Sequence, residues 1–367
     1  MAIGKGPLIT ANQVTLLRIV LLPVPCAMVL YTSEPWMWAA VVLFVALGFT
    51  DLLDGWMARK WGTSVLGALL DPVADKVFMA AALIPMIILD LVHPAVVVVI
   101  MLREFLITSL RSAMSLRGRH VKTSVLAKLK TAVQMGGGFM VFAVVYLPSD
   151  REIRLAQGAL AAVAVGIAVW RYAATRRVSP FVFVPCGLTV VAFLLRLAFD
   201  PVTAARVYWA VIVLFTVASA IDYLGGAWDL LAKGKGHHLN DLGRILWTVV
   251  CGAGIPLLAH YRPEIATLAV VLLSTELATG AVDNLRCHEN FEPHTWIFPL
   301  RAVVLAAAGA GVLRLDHGAA GSPAFWAALG LSAVMFLWTL LDFIVARHLI
   351  WGEAAPQTEH AKGVIGR

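Results

Sequence analysis

Four aspartates lie close together in residues 51–76, DLLDGWMARKWGTSVLGALLDPVADK, within an otherwise apolar chain. Asp51 and Asp54 are three residues apart and share one helix face, while Asp71 and Asp75 are four apart and share another. Two antiparallel helices joined by a short loop would bring both pairs together. Carboxylates packed in this way repel one another unless cations lie between them. Because hard oxygen ligands suit Mg²⁺, Mn²⁺ or Ca²⁺, the pattern predicts a divalent-metal site.

Small residues and one arginine separate the two aspartate pairs. Gly55 and Gly67 leave the backbone open to close approach by a ligand, and Ala58 is also small. Arg59 can hold a phosphate group through two parallel hydrogen bonds. Two metal ions can clamp a diphosphate and stabilise both its attacking and its leaving oxygen. The segment therefore predicts a diphosphate substrate, and its apolar surroundings indicate one with a lipid tail.

The rest of the chain has the composition of a membrane protein. Its 367 residues are 60% hydrophobic and 14% charged, whereas a soluble domain carries about 25% charged residues. Apolar runs of roughly 20 residues recur along the chain, as transmembrane helices require. The net charge of +7 lies in short loops between these runs, so we expect no nucleic-acid partner. We predict an all-α polytopic membrane protein, embedded in the lipid bilayer and without a cleaved signal peptide.

The apolar runs and the loop charges predict twelve spans and their orientation. Lysine and arginine are concentrated in alternate loops, which marks those loops as cytoplasmic. Both termini then face the cytoplasm, as do the span ends that carry the aspartates. We expect the bacterial inner membrane as the location. The predicted spans are 14–31, 36–56, 65–88, 94–114, 129–147, 155–172, 181–199, 206–228, 243–260, 264–284, 295–313 and 323–346.

The aspartate segment resembles the signature of the CDP-alcohol phosphatidyltransferase family. That signature reads D-x-x-D-G-x-x-A-R, then seven or eight residues, then G-x-x-x-D-x-x-x-D, and this chain has every fixed position. The resemblance implies a six-helix membrane domain over residues 1–177. It also implies transfer of a phosphatidyl group from CDP-diacylglycerol to an alcohol, with release of CMP. The matching residues are Asp51, Asp54, Gly55, Ala58, Arg59, Gly67, Asp71 and Asp75.

The resemblance also implies a role for each of these residues. The four aspartates would hold two Mg²⁺ or Mn²⁺ ions, and Asp75 would take the proton from the acceptor hydroxyl. The segment ANQVTLLR at 11–18 resembles the family motif N-P-N-x-x-T-x-x-R, with Ala11 in place of proline and Arg18 retained. The expected CDP-binding residues are Asn12, Thr15, Gly55, Ala58, Arg59 and Gly67.

Two further segments bear on the acceptor alcohol. REFLITSLR at 103–111 and AKLKTAVQ at 127–134 resemble segments of the phosphatidylglycerophosphate synthases. Two positions depart from their pattern, since Leu102 stands where alanine is usual and Ala127 where glycine is usual. Glycerol 3-phosphate is a dianion that needs fixed cations, so it is the favoured acceptor, with inositol phosphate and phosphatidylglycerol left open. The expected acceptor-phosphate ligands are Arg111, Lys128 and Lys130. Alternatively, these bases only set the topology, and Arg103 and Glu104 form a buried structural pair.

Residues 178–351 form a second predicted domain of six spans, followed by a disordered tail at 352–367. The order of spans and loop charges repeats that of the first half, which favours a degenerate copy of the same unit. Such a copy could stand in for a dimer partner, since members of the family commonly pair through their helices. A homodimer of the whole chain is the other possibility, and a lipid or regulatory ligand could also bind the second half.

An alignment of the halves shows what the second one lacks. Asp222 matches Asp51, but Trp247 and Cys251 stand at the positions of Asp71 and Asp75. We therefore expect no metal pair and no catalysis there, with chance similarity among apolar helices as the alternative. The other aligned residues are Gly225, Gly226, Gly243, Glu276 and Arg301.

Two other classes of protein compete with the enzyme. Twelve spans in two six-helix halves are also the plan of a large class of transporters. A transporter leaves unexplained why four ordered aspartates, with glycines and an arginine between them, are confined to one half. A non-catalytic lipid-binding or scaffold protein fits the second half better than the first.

Overall fold

The computed structural model describes residues 10–31, 34–62, 64–117, 151–178, 180–233, 238–288, 296–315, 322–347 and 349. Within these ranges every regular element is a helix, which confirms the predicted fold class. The predicted span at 129–147 and the predicted tail at 352–367 fall outside them, as do Lys128 and Lys130.

The first half of the chain supplies the helices that carry the predicted site. Pro23 begins a new helix where the sequence predicted one span at 14–31, because proline has no N–H with which to continue the hydrogen-bond ladder. The described helices of this half are α1 (Ala11–Leu21), α2 (Pro23–Tyr31), α3 (Glu34–Trp61), α4 (Val65–Ile88), α5 (Pro94–Ser115) and α6 (Arg151–Thr175).

The second half follows with helices close to the predicted spans. One of these spans is interrupted by a π turn at Val250–Gly254, where an extra residue is accommodated in the helix. The described helices are α7 (Pro180–Ala198), α8 (Pro201–Lys233), α9 (His238–Val249), α10 (Ile255–Tyr261), α11 (Ala266–His288), α12 (Ile297–Arg314) and α13 (Pro323–Val345).

Membrane-crossing segments are present in both halves. Among the described residues, eight are long and apolar enough to span a bilayer, and a shorter apolar helix lies at 182–198. Helices α4 and α5 are not among these eight segments, and α4 holds two aspartates and a lysine. The chain is therefore an all-α polytopic membrane protein, whereas the count of twelve spans stays a prediction.

The two halves share one buried core rather than forming separate bundles. Helix α4 packs along α11, while α5 packs against α9, the π turn, α10 and α11. The backbones of the two halves come close together at Gly252, where an added Cβ would lie 2.7 Å from the Cα of Leu102. The third span of the first half, α4, thus contacts the fourth span of the second half, α11. The fourth span of the first half, α5, contacts the third span of the second half, α9 and α10. Both halves therefore hold the helices of the predicted site.

Candidate active site

The starts of two helices meet at the predicted site. Helix α1 begins with a capping box, in which Thr10 and Gln13 each accept a hydrogen bond from the other's backbone N–H. Helix α4 begins at Ser64, whose hydroxyl accepts a hydrogen bond from the N–H of Gly67. Asn12 Nδ2 donates to Ser64 Oγ at 2.8 Å, so the two helix starts are in contact. Their positive dipole ends therefore lie side by side.

One buried hydroxyl joins the aspartates of α3 and α4. Thr15 of α1 is 1% exposed, and its Oγ1 lies 2.9 Å from Asp54 Oδ2 and 3.4 Å from Asp71 Oδ1. A threonine hydroxyl has a single proton, so it donates to one carboxylate at a time. The two aspartate pairs, which come from different helices, therefore meet at a residue of a third helix.

Arg18 supplies the positive charge of this cluster, although it was not among the predicted site residues. Its side chain is 1% exposed and donates from Nη1 to Asp51 Oδ1 at 2.8 Å and from Nη2 to Asp54 Oδ2. A buried arginine needs such partners, because removing its charge from water is unfavourable unless it is paired. The signal in the sequence was a cation inside a membrane span, one turn beyond Thr15.

Asp71 and Asp75 complete the cluster from one face of α4. Asp71 is exposed, whereas Asp75 is half-buried. Asp75 interacts electrostatically with Asp51, Asp71, Asp54 and Arg18. All four predicted carboxylates therefore lie within one electrostatic neighbourhood, which also contains the Arg18 guanidinium.

The donors of this cluster fit a divalent cation by their chemistry. They are carboxylate oxygens, the ligands that Mg²⁺ and Mn²⁺ prefer. When ionised, the four carboxylates carry more negative charge than the Arg18 guanidinium beside them can balance. In the described part of the chain, no three His, Cys, Asp or Glu side chains converge closely enough to hold one ion.

The other predicted CDP-binding residues are distributed along the same helices. An added Cβ on Gly67 would lie 2.8 Å from Asn12 Oδ1, so a larger residue would require the Asn12 side chain to shift. Gly55 follows Asp54 on α3 and is partly exposed. Ala58 and Arg59 also belong to α3, but their side chains lie outside the described part of the structure.

The predicted acceptor side of the site lies on α5. A hydrogen bond of 2.5 Å connects α5 to α4. It runs from Lys76 Nζ of α4, next to Asp75, to Thr108 Oγ1 of α5. Arg111 is partly buried, and its guanidinium carbon lies 5.9 Å from the ring centroid of Tyr223. Lys128 and Lys130 lie outside the described residues.

Arg103 and Glu104 form the buried pair that was the alternative to an acceptor role. Arg103 Nη1 lies 3.3 Å from Glu104 Oε1, and its Nη2 donates to Ser219 Oγ of α8 at 2.7 Å. Both charged side chains are less than 10% exposed. This pair therefore connects α5 to the second half of the chain.

The aligned positions of the second half contain no cluster of carboxylates. Trp247 and Cys251 are buried, and Trp247 Nε1 donates to Glu276 Oε2 at 2.7 Å. Arg301 forms two hydrogen bonds to the same carboxylate, at 2.7 and 3.1 Å, and a third to Thr339 at 2.9 Å. Both members of the Glu276–Arg301 pair have no solvent exposure. Trp247, Glu276 and Arg301 therefore form one buried, hydrogen-bonded group in the second half.

Comparison with known proteins gives a consistent picture for the first half. The sequence model of the family described as CDP-alcohol phosphatidyltransferase matches residues 8–170. No solved structure matches the chain. Three similar proteins bear the name CDP-diacylglycerol–glycerol-3-phosphate 3-phosphatidyltransferase.

These relatives align with less than half of this chain. The protein of Yersinia enterocolitica is 37% identical over 168 residues, which are 42% of this chain and 86% of that protein. The protein of Bacillus subtilis is 35% identical over 140 residues, 34% of this chain and 71% of that protein. The protein of Cereibacter sphaeroides is 34% identical over 146 residues, 38% of this chain and 64% of that protein.

Proposed function

The chain belongs to the CDP-alcohol phosphatidyltransferase family, and we propose that it transfers a phosphatidyl group from CDP-diacylglycerol to glycerol 3-phosphate. The observation that carries this proposal is the joining of Asp54 and Asp71 through Thr15, with Arg18 beside them. The choice of acceptor rests on the names of the relatives and on three basic residues of the sequence, which are Arg111, Lys128 and Lys130. The reaction is a step of phospholipid synthesis.

The family is divalent-metal dependent, and the proposal assigns Mg²⁺ or Mn²⁺, as two ions, to Asp51, Asp54, Asp71 and Asp75. Bound there, the ions would neutralise the diphosphate and polarise its phosphoryl oxygens. Thr15 fixes the spacing of two of these carboxylates, and Arg18 orients two of them. The chain thus presents its oxygen donors from helices whose relative position is already set by hydrogen bonds.

The CDP moiety is assigned to the region where α1 and α4 begin. Both helix starts carry backbone N–H groups and positive dipole ends, which favour an anionic diphosphate. Gly67 and Gly55 keep side-chain atoms out of the approach, and the contact of Asn12 with Ser64 orients one wall. Ala58 and Arg59, further along the sequence of α3, are assigned to the same group of CDP-binding residues.

The transfer itself is assigned to Asp75 and to the acceptor hydroxyl. The acceptor oxygen forms a bond to the phosphorus that bears the diacylglycerol, and the anhydride bond to CMP breaks. Asp75 accepts the proton of that hydroxyl, and CMP leaves with the electron pair of the broken bond. Asp75 suits this task because it is half-buried, one turn from Asp71, on the helix joined to α5 through Lys76.

The phosphate of the acceptor is assigned to Arg111, Lys128 and Lys130. A dianionic acceptor needs several fixed cations, and Arg111 is a partly buried guanidinium on α5, near the cytoplasmic end in the proposed topology. Its planar group can form two parallel hydrogen bonds to a phosphate. The active site then faces the cytoplasm, with both termini on the same side of a bacterial inner membrane.

Residues 178–351 are proposed to be a degenerate copy that does no chemistry. Support comes from Trp247 and Cys251, which are buried and stand at the positions aligned with Asp71 and Asp75. Further support comes from the reciprocal packing of α4 on α11 and of α5 on α9 and α10. In this arrangement the second half takes the place of a dimer partner. The alternative is that two whole chains form a homodimer.

The test is CMP release by the purified protein in detergent, given CDP-diacylglycerol, Mg²⁺ and glycerol 3-phosphate. We expect release that depends on glycerol 3-phosphate and is lost in Asp71→Asn. The matched control is Asp222→Asn, which changes an exposed aspartate of the second half and is expected to leave release unchanged. Folded protein that releases no CMP with any alcohol would overturn the proposal, and release only with another alcohol would overturn the acceptor.

A further inference from the structure

Helix α8 of the second half lies along α5, the helix that carries Arg111. Its buried residues Ser219, Tyr223 and Ala227 are spaced four apart, so they form one face of the helix. Tyr223 and Ala227 pack with three apolar residues of α5, which are Ile107, Leu110 and Met114. The second half therefore contacts α5 along the face next to the proposed acceptor ligand.

Two contacts on this face involve arginines of α5. Ser219 Oγ accepts a hydrogen bond from Arg103 at 2.7 Å, and the guanidinium carbon of Arg111 lies 5.9 Å from the ring centroid of Tyr223. Tyr223 is only 4% exposed, so its ring is held by packing, whereas Arg111 is partly exposed. A rigid aromatic ring thus supports a guanidinium that reaches solvent.

The chemistry of this contact suits an arginine that must bind an anion. An aromatic face attracts a guanidinium electrostatically without using its N–H groups. A guanidinium held in this way keeps its N–H groups for hydrogen bonds, and its planar group can bind a phosphate through two parallel ones. The ring also limits the rotamers of a long side chain, which reduces the entropy lost when an anion binds.

We propose that Tyr223 is a positioning residue for the acceptor phosphate, acting through Arg111, so that the second half contributes to acceptor affinity. This inference rests on the proposed function of the first half. It assigns a role in the reaction to a region beyond the family match, which ends at residue 170. Ser219 has no such role, because its partner Arg103 is buried and paired with Glu104.

The experiment compares Tyr223→Leu with Tyr223→Phe in steady-state CMP release by the full-length protein. We expect Tyr223→Leu to raise the KM for glycerol 3-phosphate about three- to tenfold, the range of a cation–π contact. Its kcat and its KM for CDP-diacylglycerol are expected to stay within about twofold, since the ring acts only on the acceptor ligand. Tyr223→Phe keeps the aromatic face and is expected to keep the wild-type KM.

Two further variants separate positioning from general loosening of the interface. Ser219→Ala removes a contact on the same face of α8 and is expected to lower thermal stability without changing the acceptor KM. In an Arg111→Ala background, Tyr223→Leu is expected to have no additional effect on KM, because the two residues act as one unit. A loss of folded protein would lower the apparent kcat and leave KM unchanged, so it cannot imitate the expected result.

The possible results distinguish failure of the proposed Tyr223 role from failure of the proposed transferase function. If the wild type is active and Tyr223→Leu has an unchanged acceptor KM, or Tyr223→Phe is impaired as much as Tyr223→Leu, the inference is wrong. If Ser219→Ala raises the acceptor KM equally, the effect belongs to the interface and the inference is also wrong. If the folded wild type releases no CMP with any alcohol, the proposed function itself fails, and the inference with it.

Discussion

Replacing Arg301 by methionine is expected to destabilise the protein strongly while leaving its chemistry intact. The guanidinium makes hydrogen bonds of 2.7 and 3.1 Å to Glu276, and both side chains have no solvent exposure. Methionine fills similar volume but leaves the Glu276 carboxylate buried without its cation. Removing one partner of a buried ion pair costs about 3–5 kcal/mol, because the remaining charge cannot be solvated.

The assay is thermal unfolding of the detergent-solubilised protein, followed by tryptophan fluorescence or size-exclusion recovery. For a domain of this size, a change of 1 kcal/mol moves the midpoint by about 2–4 °C, so we expect a decrease of about 6–20 °C. The matched control is Arg314→Met, which removes an exposed arginine from the same helix and is expected to shift the midpoint by less than a few degrees. Below its unfolding temperature, Arg301→Met is expected to release CMP at the wild-type rate.

A double variant tests the physical reason for this effect. Glu276→Leu combined with Arg301→Met removes both charges together, so it is expected to unfold at a higher temperature than Arg301→Met alone. Two results would refute the reasoning. One is an Arg301→Met protein as stable as the wild type, and the other is a double variant less stable than either single variant.

Three other predictions concern the site, the interface and the metal. Thr15→Val removes the shared hydroxyl while keeping its shape, and the loss of a hydrogen bond to a carboxylate is expected to lower kcat/KM about tenfold or more in the CMP assay. Unchanged kcat/KM would show that this contact does not set the carboxylate spacing. Gly252→Ala places a Cβ 2.7 Å from the Cα of Leu102, so the unfolding midpoint is expected to decrease by an amount equivalent to about 1–3 kcal/mol. In contrast, Gly311→Ala, which meets no atom within 4 Å, is expected to be neutral or slightly stabilising. Removal of divalent cations by a chelator is expected to abolish CMP release and addition of Mg²⁺ or Mn²⁺ to restore it, whereas activity that survives chelation would contradict the assigned metal role.

Local patterns in the sequence were sufficient to predict the class of fold and the family. The span predicted at 65–88 coincides with α4, and that at 94–114 ends one residue before α5 does. Apolar runs define such helices because a bilayer requires each spanning segment to satisfy its own backbone hydrogen bonds. The spacing of Asp51, Asp54, Asp71 and Asp75 likewise placed two carboxylate pairs on two helix faces before any packing was known.

Contacts between distant residues depended on the tertiary structure. Nothing in the local pattern of Arg18 indicates that it pairs with Asp51 and Asp54, since more than thirty residues separate them. The alignment of the halves included both Glu276 and Arg301, but it did not predict that these two residues form an ion pair with each other. The support of Arg111 by Tyr223 joins residues of different halves and had no signal in either segment.

The physical reason is the nature of the membrane as a solvent. In water, a polar face and an apolar face tell which side of a helix packs inward. In a bilayer, the lipid-facing side is as apolar as the packed side, so the sequence indicates where a helix spans but not which neighbour it contacts. The sequence alone was therefore sufficient to predict the all-helical fold class, the carboxylate pairs and the family of this protein. The tertiary structure showed that α4 lies on α11, that α5 lies between the two halves, and that Tyr223 of the second half contacts Arg111.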